Sequence, residues 1–455
     1  MCAVGAIALA VLSPASAAGK LSPSQAMGAD SAVDAVAVQA DGRIVVAGYS
    51  SRGRLTLARY RPSGALDPSF GRSGVFATGL RYDPAALAIR ADGAIFVLAS
   101  GSVACSEIGA ACEEGVPLLG FRADGRRNRG FGVRGIVALP GATTGGDLAP
   151  QPDGKLVVVG SNRFCHTACF GQAILARFEA SGVLDPSFGA GGVATLSRNG
   201  SALDAITVAA DGSLFAAGDV RGTGPPYGSF VAHLGPNGAI DPAFGAEGFA
   251  FSPGPAYAPV HFAEVLLDQA GSILAGGGSA EKLGASRFLA NGTPDVGFGS
   301  GGTAEIAIGG GWGGMVQAGG GTVVAAPTAL RCRRALRRSG QCLAGFVLTR
   351  FTATGQLDPA FGGDGIVVTA LGRGRSNRDF PPSATPVALP DGRVLVAGGA
   401  RFVFGHGRNL ASRSSFALAV YRPDGTLDRS FGSSGVVTTP VFRPRQSQGL
   451  AGRPR

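Results

Sequence analysis

The side chains that could do chemistry in this chain are few and scattered. Four histidines occur, His166, His233, His261 and His406. They fall at different, non-equivalent points of the pattern described below, so no histidine-based metal cluster is expected. Seven cysteines comprise Cys2 and three local pairs: Cys105 with Cys112, Cys165 with Cys169, and Cys332 with Cys342. The segment Cys165-His166-Thr167-Ala168-Cys169 offers two thiols and an imidazole, which raises zinc. A structural zinc wants four ligands, and no second pair lies near in sequence. An even count in close pairs points to disulfides formed in an oxidising compartment. Aspartate recurs at Asp67, Asp185, Asp241, Asp295, Asp358 and Asp428, which invites calcium or acid catalysis. Calcium needs several converging oxygens. An aspartate just ahead of a turn more commonly accepts bonds from local backbone amides. Neither a G-x-S-x-G elbow nor a phosphate-cradling loop between strand and helix occurs. No cofactor and no metal is expected.

The elements that carry these residues are set by a repeat. Gly, five residues, Phe-Gly, two residues and Gly recur seven times, at Phe70, Phe131, Phe188, Phe244, Phe298, Phe361 and Phe431, with spacings of 61, 57, 56, 54, 63 and 70 residues. Each unit supplies four apolar, β-branched runs, as in DAVAVQ, RIVVAG, LTLARY and VFAT. Asp-Gly separates the first two runs, the strongest short hairpin signal. No helical period appears beyond the N-terminal apolar run. Four antiparallel strands in a unit of this length, repeated seven times, predict an all-β, seven-bladed propeller of four-stranded blades over residues 31–441. Because the chain starts on an AVAV-like run and ends after a VFAT-like one, the C-terminal strand is expected to complete the N-terminal blade. The VFAT-like strand is then innermost, and the LDPSFG link crosses from one blade to the next. Its Phe is expected to be a buried staple between blades. An aromatic ten residues earlier (Tyr60, Phe121, Phe178, Phe288, Phe351, Tyr421; Leu234 in the fourth unit) joins the same core.

The stretches ARYRPSGALDPSFGRSGVF, LARFEASGVLDPSFGAGGV and AVYRPDGTLDRSFGSSGVV resemble the bacterial delta-60 repeat. That resemblance covers nearly all of residues 31–441 and implies a β-propeller. The family is characterised by its repeat rather than by a reaction, so it implies no activity, and fold alone would not supply one.

Residues Ala3–Leu12 form a ten-residue apolar run followed by Ala15-Ser16-Ala17, which reads as a secretory signal over residues 1–17. It lacks a basic n-region. The run is too short to span a bilayer, and no other stretch reads as membrane-spanning. Location is therefore expected to be extracellular or at the cell envelope, with residues 442–455 a basic, disordered tail.

Length variation between repeats falls in the loops on one face, and all three cysteine pairs lie there. Such one-sided variation marks a binding face, or loops that lengthen where nothing forbids it. The formal net charge is +10. Arg331, Arg333, Arg334, Arg337, Arg338, Arg373, Arg375 and Arg378 belong to the variable face. They form a candidate anion-binding surface for an acidic polysaccharide or cell-surface polymer, the alternative being a solvated face. Nucleic acid is not expected, since no aromatics interleave with the charges. Two functions remain open: a non-catalytic binding or scaffold propeller, which is favoured, or a glycan hydrolase or lyase working at the channel mouth. The first predicts a featureless channel. The second requires titratable groups from several blades to meet there, and Glu305 is the one acid this reading places near the axis.

Overall fold

A computed structural model of the protein describes residues 32–439 apart from 51–52, 101–114, 163, 166–168, 197, 222–227, 254–260, 269, 279–281, 309–310, 312, 330–341, 375–383 and 405–410. Seven four-stranded antiparallel sheets span residues 32–77, 83–140, 144–195, 201–251, 264–306, 314–374 and 384–439. They are blades one to seven of a propeller. No helix occurs among the described residues. A short extra hairpin, Phe164–Cys165 against Cys169–Phe170, rises from blade three.

The strand order corrects two expectations. In blade one, Val75–Ala77 follows the Phe70 motif and pairs with Leu55–Tyr60 of the same blade. It is therefore the outer, fourth strand, and the LDPSFG link stays within its blade. The innermost strand is the first one, Ala32–Val38. First strands of successive blades touch around the ring, and the last of them, Ala384–Ala388, meets the first. Residue size explains this placement, because strands crowd near the axis. A Cβ added to Gly146 in blade three would fall 2.1 Å from the Leu203 carbonyl oxygen of blade four. The Ala- and Gly-rich runs fit there; VFA-like strands do not need such room.

Closure is corrected for the same reason. The C-terminal strand Val436–Thr439 pairs with Ala411–Tyr421 of blade seven, and blade one is complete without it. Blades seven and one close side by side. Val33, Val36, Ile44, Val46 and Tyr60 pack with Leu395, Phe416, Leu418 and Phe431. The Tyr60 hydroxyl donates to Thr439 Oγ1 at 2.9 Å across that seam.

Seven apolar clusters fill the seven seams. Each motif Phe packs into the seam with the following blade, whereas each third-strand aromatic packs into the seam with the preceding one. Phe70 lies between blades one and two, and Tyr60 between seven and one. All seven motif Phe are at most 2% exposed. The ring edge of Phe70 fills the space where a side chain on Gly125 of blade two would sit, since an added Cβ would lie 2.5 Å from Phe70 Cζ. The glycine after the Phe completes the seam. Gly71 N–H donates to the Asp124 carbonyl at 3.0 Å, Gly189 to Asn237 at 2.8 Å, and Gly432 to Ser63 at 2.9 Å, with equivalents in the other four seams.

Candidate binding site at the channel mouth

In four blades the link is held by an arginine eight residues before its aspartate. Arg59, eight residues before Asp67, donates Nε to Asp67 Oδ2 at 2.9 Å and Nη1 to the Ala123 carbonyl of the next blade at 2.6 Å. Its guanidinium carbon lies 4.8 Å from the centroid of the Phe70 ring. Arg177 with Asp185, Arg287 with Asp295 and Arg350 with Asp358 repeat the arrangement. In blade four His233 takes the arginine's place, its Nδ1 2.9 Å from Asp241 Oδ2. In blade two both partners are gone: Asn128 stands for the aspartate, Gly120 for the arginine, and Phe131 covers Gly120 directly. The signal was present in the sequence as Arg before the aromatic of the third strand, and it needed the eight-residue interval to be read.

Each of the six link aspartates also accepts a backbone N–H two residues on, as in Ser69 N to Asp67 Oδ1 at 3.1 Å and Gly297 N to Asp295 Oδ1 at 3.0 Å. These carboxylates hold structure and are poor candidates for catalysis. Their acidity shows it. Bonds from the Lys155 ammonium and the Ser187 hydroxyl hold Asp185 well below the usual carboxylate range. The Ser430 hydroxyl does the same for Asp428, to about 2.

Strand alternation puts the hairpin turns and the links on one face. The second-to-third and fourth-to-first connections emerge on the other, which is the variable face. At that face the first strands bring acids together. A bulge in Ser201–Val208, between Leu203 and Ala205, carries Asp204. Asp219 sits near the end of the neighbouring strand, opposite Ala202. His261 arrives from the next blade just ahead of Glu264–Leu267, its carbonyl accepting Ala263 N–H at 3.1 Å. One ligating atom from each of Asp204, Asp219 and His261 lies within 4.8 Å of the others. His261 Nε2 is 3.4 Å from Asp204 Oδ2, and Arg221 Nε is 2.5 Å from Asp219 Oδ2.

Flanking blades add buried acids on their own first strands. Asp147 Oδ2 accepts Ile206 N–H of blade four at 3.0 Å. Glu264 reaches toward blade six, 3.9 Å from where a Gly314 side chain would begin. Asp34, at the blade-one bulge, is 8% exposed, and its Oδ2 has no hydrogen-bond partner. Burial, and then the nearby Asp83 carboxylate, push Asp34 well above its ordinary value.

Titratable groups of two blades thus meet at the mouth, the condition set by the enzyme reading and not the featureless channel predicted by the non-catalytic one. Glu305 belongs to the outer strand Thr303–Ile306 of blade five, where Lys282 Nζ binds it at 2.6 Å. Among the described residues, the acids on or at the inner strands are Asp34, Asp83, Asp147, Asp204 and Glu264, with Asp219 on the adjoining strand. Composition hid them: they are single polar residues inside runs read only for alternation. Of the candidate anion-binding arginines, Arg331, Arg333, Arg334, Arg337, Arg338, Arg375 and Arg378 lie outside the described residues. Arg373 is placed by backbone alone, opposite Leu343. Cys105, Cys112 and Cys332 also lie outside them. Cys165 and Cys169 are cross-strand neighbours in register, and Cys342 pairs with Gly374. The segments 1–17 and 442–455 are outside the described residues too.

Fold and site together define a seven-bladed β-propeller with a carboxylate–imidazole group at the mouth of its variable face. Residues 39–70, 151–188 and 389–431 match a family model described as a domain of unknown function (DUF5122) beta-propeller. Each matched segment runs from a hairpin turn to a motif Phe, and the three together fall well short of half the chain. No curated protein matches. Among solved structures the chain is similar to a protein of unknown function from Dyadobacter fermentans, at 12% identity over 88% of this chain and 97% of that one, TM-score 0.37. It is also similar to an ulvan lyase, at 11% identity over 88% and 92%, TM-score 0.36, and to Bacillus subtilis levansucrase, at 9% identity over 77% and 83%, TM-score 0.33. Likeness at this level carries no argument about activity.

Proposed function

We propose that the protein is a secreted, non-catalytic binding propeller that holds an extracellular polysaccharide across its variable face. What supports this most is the confinement of the length variation, the cysteine pairs and the arginine-rich loops to one face; Asp204, Asp219, Arg221 and His261 meet at the mouth of that face. Of these, the exposed Arg221 and the part-exposed Asp204 can donate to and accept from a hydroxyl-rich ligand. The sequence assigns Arg331, Arg333, Arg334, Arg337, Arg338, Arg373, Arg375 and Arg378 to the loops of that face, where they would attract acidic groups along a polymer. Secretion rests on the apolar run and Ala15-Ser16-Ala17, and on the three close cysteine pairs. The delta-60 resemblance supports the same scaffold and names no reaction.

A second reading is kept because one observation favours it. His261 and Asp204 form an imidazole–carboxylate pair, the arrangement that orients a general base. A hydrolase or lyase acting on a glycan at the channel mouth would use it. One experiment separates the two. The full chain is assayed against acidic and neutral polysaccharides, for binding by biolayer interferometry and for cleavage by reducing-end release and by absorbance of unsaturated uronates. Salt-sensitive binding without cleavage is the expected result. Cleavage abolished by His261→Ala would replace it with the enzyme reading. Binding unchanged after Arg331, Arg333, Arg334, Arg337 and Arg338 are all replaced by Gln would sink the role given to the basic loop.

A further inference from the structure

We propose that Asp204, Asp219 and His261 form a site for a divalent transition metal of the zinc or manganese kind, pinning blade four to blade five at the channel mouth. The three side chains come from three chain segments on two blades, and all three ligating atoms fall within 4.8 Å of one another. Metal–ligand bonds of about 2.0–2.2 Å need ligand atoms no more than about 4.4 Å apart. A movement of a few tenths of an ångström closes the set. Two carboxylates and a neutral imidazole balance a double positive charge. The imidazole selects the class: calcium and magnesium take all-oxygen shells, whereas mixed nitrogen–oxygen sets suit zinc, manganese and their neighbours. Three protein ligands leave a coordination position open.

A second observation points the same way. Asp219 is 3% exposed and His261 8% exposed, and two carboxylates drawn together with so little water call for positive charge. The structure supplies some from outside. Arg221, itself 55% exposed at the side chain, places Nε on Asp219. That guanidinium, reaching in from the solvent side, stands where a cation would, and Asp204 Oδ2 lies 3.4 Å from His261 Nε2. Asp204, 19% exposed at the side chain, is more exposed than His261 or Asp219. This site stands whether or not a glycan binds.

The test uses the full chain stripped with a chelator and then titrated calorimetrically with Zn²⁺, Mn²⁺, Ca²⁺ and Mg²⁺, with metal content measured after desalting. A single equivalent of Zn²⁺ or Mn²⁺ is expected, accompanied by a rise in melting temperature, because an ion bound only to the native state stabilises it. Asp204→Asn, at the part-exposed position, and His261→Ala should each weaken binding by about tenfold or more. Arg221→Ala should tighten it by removing a competing cation from Asp219 Oδ2. Absence of binding, or Zn²⁺ binding unchanged in Asp204→Asn and His261→Ala, would overturn the site; the latter outcome would move the ion to the cysteine-bearing loops. Preference for Ca²⁺ over Zn²⁺ would overturn the assigned class.

Discussion

The propeller uses aspartate in two opposite ways on its two faces. At the link face, Asp67, Asp185 and Asp428 are buried among donors: a backbone amide and a serine hydroxyl two residues on, and a guanidinium or ammonium from the strand behind. Their charged form is the satisfied one. At the mouth face, Asp34 is equally buried but keeps an unbonded oxygen and a like-charged neighbour. Its charged form is the costly one. Burial is therefore not what distinguishes a structural acid from a candidate functional one. The supply of donors is. The link face matches its acids with donors, whereas at the mouth Asp34 keeps a buried oxygen without one.

This contrast is broken most forcefully at the seams. Phe188→Ala removes a fully buried ring from the blade three–four cluster and should cost about 3–5 kcal/mol. Asp204→Asn at the mouth, part-exposed and paired with His261 at 3.4 Å, should cost less, on the order of 1 kcal/mol in the metal-free protein. Urea midpoints at constant slope measure both. Equal losses would show that the mouth is part of the scaffold.

Next in size is the link pair. Asp185→Asn leaves Arg177 and Lys155 without their shared carboxylate. Breaking a buried pair from one side costs about 3 kcal/mol. The expected companion is Arg177→Met with a smaller loss, since the alkyl stem still covers Phe188, 4.9 Å below the guanidinium. A larger loss for Arg177→Met than for Asp185→Asn would show that the stacked cation, rather than the ion pair, holds the seam.

Much of this architecture was legible before any coordinates, because glycines and a motif Phe at fixed intervals impose a unit, and the unit imposes four strands. What could not be read was which strand lies at the axis. VFA and AVDAVAV are both apolar and alternating. They differ in side-chain volume, and only crowding at the axis, as at Gly146, makes volume decisive. The closure error followed from that choice, since a blade that starts at its inner strand needs no borrowed strand. The mouth was harder still. Asp204 and Asp219 sit 15 residues apart across a hairpin, and His261 lies a blade away. No local spacing joins them, whereas the Arg-to-Asp interval of eight was local and could have been found.

The pH dependence sharpens the comparison further, with opposite signs on the two faces. Asp185 and Asp428 have native values below that of a free carboxyl, so their contribution is complete above about 4 and is lost as pH falls toward the value near 2 held by Asp428. Stability should therefore drop steeply below about pH 4, followed by urea denaturation across the acid range. Asp185→Asn should flatten that drop. An unchanged acid limb would show that the link carboxylates are not what fails in acid.

Asp34 carries the smallest and most diagnostic prediction. Its native value lies above that of the free side chain, so ionisation penalises the folded state, and the penalty shrinks as pH falls through the raised value. Asn has the same shape without the charge. Asp34→Asn should stabilise the protein at neutral pH by about 1 kcal/mol, the scale of a buried polar group left without a partner. The gain should vanish below about pH 4, where the carboxyl is protonated in the unfolded chain as well as in the folded one. A loss of stability at neutral pH would mean that the Asp34 charge is matched in solution by a cation, and the mouth would then hold positive charge on the blade-one side as well.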